Sequence, residues 1–185
     1  GETYSPNGHK YIREFEWDKI PTTIFRVGGV VLKKEKVFQH FENRILIRYT
    51  LLEAHSLTTL RLRPFLAFRS VNSCTHENGM VNKHYDIVDN GIKTCMYDGY
   101  PELYMQLSKK NEYIYEPNWY KGIEYSKERE LGYEFTEDLY VPGYFEFNIK
   151  KGESVVFSAG VKNLPTQKMK KLFSVATIIA ATMLA

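Results

Sequence analysis

Residues 119–143 carry six carboxylates, Glu124, Glu128, Glu130, Glu134, Glu137 and Asp138, which outnumber the basic residues of the same stretch. Two carboxylates flanking a sugar bond are what glycoside hydrolysis requires, one as acid and one as base or nucleophile. Glu128 with Glu137 or Asp138 is the pair to consider. Acids in a surface segment are ordinarily solvated or paired with arginine, and the expectation here is that Glu128, Glu137 or Asp138 is bonded to an arginine, Arg129 or Arg69, or to backbone amides. The same stretch holds Trp119, Tyr120, Tyr125 and Tyr133. These rings could offer a flat platform to a glucan chain or form the core beneath a long loop. Packing is expected, because a long loop needs internal contacts to hold a shape.

Other chemistries find less support. Strand alternation puts Arg61, Arg63 and Arg69 on one face, either as an anion clamp or, as expected, on a solvated sheet surface. The five histidines show no paired spacing that would hold a metal or build a nucleophilic triad, and no serine elbow or phosphate-binding glycine loop occurs. His76 and His84 straddle a loop and could supply one general acid. No catalytic residue, metal or cofactor is therefore expected.

The elements that must position these residues read as strands. Tyr11 to Trp17 follows the turn-formers Ser5, Pro6, Asn7 and Gly8. Residues 22–27 and 30–38 form a hairpin turned at Gly28-Gly29, a pair that can take the positive φ angles of a two-residue turn. Ile45, Ile47, Tyr49 and Leu51 alternate with Arg44, Leu46, Arg48 and Thr50, and residues 57–69 repeat the pattern, with Pro64 at an edge or a bulge. Residues 72–83 read as a polar loop, and 84–89 and 92–97 as a hairpin turned at Asn90-Gly91. Shorter strands are expected over 102–108 and 112–116. Residues 117–143 read as one long irregular loop. Phe145, Phe147 and Ile149 alternate with Tyr144, Glu146 and Asn148, and Lys150-Lys151-Gly152 turns this strand into a last hairpin over 153–159. Roughly eleven short strands imply an all-β, two-sheet antiparallel sandwich, with Ile45, Ile47, Phe145, Phe147 and Ile149 facing inward.

Length and composition fit one domain. The chain has 185 residues, 43% of them hydrophobic, with 14 Tyr, 11 Phe and two Trp, enough to bury a continuous core. Its 25 basic and 22 acidic residues are interspersed, so no nucleic-acid footprint forms. Cys74 and Cys95 are too few for a disulfide framework and are expected as reduced thiols in a cytoplasmic protein, a single bridge between them being the alternative if their segments lie side by side. Residues 1–165 are assigned to the β-sandwich, and a first residue that is Gly rather than Met reads as a fragment or a trimmed chain. Residues 166–185 are an apolar helical tail. Its basic start and 14 uncharged residues, 172–185, have the pattern of a signal peptide at the wrong end of a chain. That length falls short of the about 20 residues of a membrane span, so membrane insertion is not expected. The tail is either a helix leading into a following domain or a junction artefact.

Leu62-Arg63-Pro64-Phe65-Leu66-Ala67-Phe68-Arg69, Trp119-Tyr120, Tyr125, Glu128, Gly132, Glu137-Asp138-Leu139-Tyr140 and Pro142-Gly143 resemble the N-terminal domain of bacterial and archaeal glycogen-debranching enzymes. The resemblance covers about residues 10–160. It implies a sandwich of the galactose mutarotase-like (supersandwich) type, cut at its N-terminal side, followed in the whole enzyme by a helical-toroid catalytic domain with amylo-α-1,6-glucosidase activity. It further implies an α-glucan such as glycogen as the substrate of that enzyme, with the hydrolytic acids beyond this chain. The chain departs from the family pattern at Leu131 and Glu134, where Arg and Asp are expected, and the match fades beyond about Pro165. Trp119, Tyr120, Tyr125, Glu128, Arg129, Glu137, Asp138 and Arg69 are thus candidates for carbohydrate binding or a domain interface. An independent glucan-binding module would need Trp119 and Tyr120 exposed in a row. A mutarotase-like enzyme would need a His and a Glu converging, with His84 and Glu137 the candidates.

Overall fold

A computed structural model describes residues 7–17 and 20–183. Ser5 and Pro6 of the expected first turn lie outside the described residues. Eleven strands form two antiparallel sheets. The strands are β1 (Ile12–Trp17), β2 (Pro21–Val27), β3 (Val30–Phe38), β4 (Arg44–Glu53), β5 (Thr58–Leu62), β6 (Tyr85–Val88), β7 (Gly91–Thr94), β8 (Leu103–Leu107), β9 (Glu112–Glu124), β10 (Thr136–Ile149) and β11 (Ser154–Gly160). The larger sheet runs β1-β2-β3-β4-β11-β8-β7-β6 and the smaller β5-β10-β9. A short helix α1 (Ser126–Glu130) links β9 to β10, and α2 (Met169–Met183) follows β11. The all-β sandwich expected from the alternation is the observed architecture.

Local chemistry accounts for the turns. Gly28 and Gly29 both have positive φ, and Val27 pairs directly with Val30 across them. At the second hairpin the turn lies one residue earlier than expected, at Asp89-Asn90, with Asn90 in the left-handed region and Val88 paired with Gly91. Gly91 is needed for a different reason: a Cβ there would stand 2.0 Å from the Met105 carbonyl oxygen on β8.

Three expectations are corrected. Residues 117–143 are not a long loop; most of them extend β9 and β10 into one long hairpin, and only the α1 connection is irregular. Pro117 is tolerated because β9 is an edge strand, where a missing N–H costs no ladder bond. The strands on either side of Lys150-Lys151-Gly152 do not form a hairpin. β10 belongs to the smaller sheet and β11 pairs with β4 and β8 in the larger, so this turn carries the chain across the sandwich. Ile45 and Ile47 are only half-buried, whereas Leu46, on the opposite face, is fully buried.

Leu46 is buried because both faces of the larger sheet are covered over β3, β4 and β11. The inner face meets the smaller sheet in a core centred on Phe145, Phe147, Ile149, Leu107 and Phe157. The outer face carries α2, whose Met169, Phe173 and Ala176 pack on Val37, Leu46 and Val156. Under this helix Arg48 forks onto Glu35 at 2.7 and 2.9 Å and lies 4.5 Å from the centre of the Phe173 ring. The chain before α2 is anchored by Gln106, which is fully buried and exchanges hydrogen bonds with the Leu164 backbone. Among the described residues no helix is long and apolar enough to cross a membrane.

Candidate functional site

The carboxylates are positioned by strand register. After β5 the chain breaks pairing around Pro64 and resumes at a Leu66–Tyr140 bridge, with hydrogen bonds of 2.8 and 3.3 Å. Phe145 pairs with Leu62, so the register changes by one residue across Pro64, the bulge its chemistry predicts. Continuing antiparallel from Leu66–Tyr140 by three residues brings Arg69 opposite Glu137. Arg69 is therefore not on the solvated face that Arg61 and Arg63 occupy. Those two are exposed, pair with Glu146 and Glu116, and flank the Tyr144 ring.

Glu137 is 0% exposed. Arg69 donates to it through Nε and, at 3.1 Å, through Nη2; the Tyr125 hydroxyl donates to Oε2 and the Thr75 N–H to Oε1 at 3.2 Å. Burial alone would raise its pKa, but these donors outweigh burial and hold it below the ordinary value. The Glu137 contact in turn keeps the Arg69 guanidinium firmly charged. Asp138 accepts N–H bonds from Glu77 at 3.0 Å and Gly122 at 2.9 Å, which lower its pKa. Glu134 accepts the Cys74 N–H and faces His76 Nε2, both at 3.0 Å, and its pKa is lowered mainly by the Cys74 N–H. Three carboxylates spaced Glu-x-x-Glu-Asp thus take backbone donors from residues 74, 75 and 77, stapling the 70–80 loop to the start of β10.

The remaining candidates lie around this staple in different ways. Trp119 and Tyr120 are successive residues of β9, so their rings point to opposite faces. Trp119 is half-buried 5.5 Å from Tyr140, and Tyr120 packs 4.8 Å from Phe65. They make no flat row. Glu128 and Arg129 are exposed on α1; Arg129 bonds Glu124 at 3.3 Å and lies over Phe135. Among the described residues Glu128 shares no hydrogen-bond partner with Glu137 or Asp138, though it and Glu137 both act electrostatically on the Cys74 thiol. His84 meets Asp86 at 3.1 Å on β6, not Glu137. Cys74 and Cys95 are free thiols. Among the described residues no three His, Cys, Asp or Glu side chains group as metal ligands would.

The sequence leads one to expect backbone amides as partners of these acids but does not say which residues supply them. Thr75 and Glu77 act through N–H groups, which no side-chain pattern reveals. Sequence reading missed a cleft of about 750 Å³ beside the staple, formed where the 70–82 loop meets the 97–100 turn, with Phe68, Tyr97 and Tyr100 among its lining residues.

The chain matches the family described as glycogen debranching enzyme N terminal over residues 1–156 of its 185 residues. No curated protein matches the chain.

Proposed function

Because the chain belongs to the family of glycogen-debranching-enzyme N-terminal domains, we propose that it is a non-catalytic β-sandwich that packs on and supports a separate catalytic domain in α-glucan breakdown. The observation that carries this reading is the state of its acids. A general acid must hold a proton near working pH, which calls for a raised pKa. Glu134, Glu137 and Asp138 are all shifted the other way, and both Glu137 oxygens are occupied by donors of the same chain.

On this reading the hydrolytic carboxylates belong to a helical-toroid domain of the whole glycoside hydrolase. The exposed apolar edge at β1, where Phe15 and Trp17 are 60% and 66% accessible, offers a surface for that domain. Two free thiols suit work in a reducing cytoplasm.

The purified chain should release no glucose from glycogen limit dextrin. Turnover that is abolished by Glu128→Gln or Glu137→Gln would overturn the proposal.

A further inference from the structure

We propose that the cleft beside the carboxylate staple is a binding site for a neutral, hydroxyl-rich ring ligand and, resting on the function proposed above, that this ligand is a segment of α-glucan. The cleft, at about 750 Å³, has the size of an ordinary small-ligand site. One side is aromatic: the Tyr100 ring stands 5.7 Å from Tyr97 and 6.3 Å from Phe68, and Tyr100 keeps 47% of its surface open. An accessible ring on a packed aromatic base suits the C–H face of a sugar.

The charges in the cleft exclude other ligand classes. Arg69 lines it, but its guanidinium is neutralised by the buried Glu137, so no free cation awaits a phosphate or a carboxylate. Asp98 is the one carboxylate of the lining, too few for a metal. What remains is a set of uncommitted polar groups. Among the described residues the Thr75 hydroxyl, the Asn82 amide nitrogen, the Asp98 carboxylate and the Tyr100 hydroxyl have no hydrogen-bond partner, and together they supply both donors and acceptors. Asn78, by contrast, is committed to the wall itself, donating to Tyr97 Oη at 3.0 Å and to the His76 carbonyl at 2.9 Å. The staple fixes the 70–80 wall before any ligand arrives, which spares the cost of ordering it on binding.

The test is a backbone-amide NMR titration of the whole chain with maltoheptaose. Saturable shifts are expected in residues 73–82 and 97–100, and Tyr100→Ala and Asp98→Asn should each weaken binding about tenfold. Asp98 is exposed, so the thermal midpoint of Asp98→Asn should not move, while loss of the Tyr97 and Phe68 contacts should lower that of Tyr100→Ala only slightly. Absence of binding at about 10 mM sugar, shifts confined to other parts of the sandwich, or unchanged affinity in Tyr100→Ala would overturn the site. Equal binding of cellohexaose would overturn its α-glucan assignment. These results are independent of the accessory-domain reading, which stands or falls on glucose release.

Discussion

Arg69→Ala is expected to destabilise the chain by about 3–5 kcal/mol, and to cost more than Glu137→Ala. The asymmetry follows from burial. Glu137 is wholly shielded, while the Arg69 side chain keeps 23% of its surface accessible. Removing the arginine strands a carboxylate that cannot reach water and must either remain an unpaired charge or take up a proton. Removing the glutamate frees a guanidinium that can partly turn outward, so the loss falls at or below the lower end of the range. Glu137→Ala also releases the Thr75 and Tyr125 bonds, whereas Arg69→Ala leaves them as the only donors to a buried charge; both changes should speed amide exchange across the 70–80 loop before the rest of the sandwich. Urea unfolding at constant slope reads the difference directly. A loss under about 1 kcal/mol for Arg69→Ala, or the reverse order, would show that the pair is solvated and weak.

Phe145→Ala should cost a similar amount, about 3–5 kcal/mol, for a reason that owes nothing to charge. Phe145 is fully buried where the two sheets face each other, 5.1 Å from the Tyr113 ring and 5.8 Å from Phe157 across the sandwich. Truncation leaves a cavity walled by two strands in register and one from the opposing sheet, which cannot collapse without breaking ladders. The neighbouring Tyr144 supplies the control. It lies on the opposite face of β10 beneath the Arg61 and Arg63 guanidinia, and Tyr144→Ala should cost about 1 kcal/mol or less. Comparable losses for the two would mean that the strand faces are exchanged.

Legibility in the sequence tracked the regularity of the backbone. The Gly28-Gly29 hairpin and the Phe145, Phe147, Ile149 face were readable because two-residue turns and period-two strands leave a local imprint. The first half of β10 was not, because its register with β9 shifts between Glu137 and Leu139 and again between Val141 and Gly143. Each shift flips the alternation, and a strand with two such shifts looks like a loop. The crossing at Lys150-Lys151-Gly152 was hidden for a different reason: a turn's residues say that the chain reverses, but not whether it reverses into the same sheet. Leu46 escaped because the helix that covers it lies more than 120 residues further along. As for the site, residue type alone offered Arg69 or Arg129 as partner for one of Glu128, Glu137 and Asp138, and the strand register was needed to pair Arg69 with Glu137. The staple could not be read, since main-chain N–H groups leave no mark of which loop supplies them, here residues 74, 75 and 77.

That the best-placed acid of this chain is a fixed structural anion and not a proton donor can be tested by following the Glu137 carboxyl carbon by NMR as pH is varied. A single titration below the ordinary glutamate value of 4.5 is expected, accompanied by loosening of the 70–80 loop as the proton goes on. A Glu137 carboxyl that titrates above that value and is still protonated near neutral pH would contradict it, and would return this residue to the list of candidate catalytic acids.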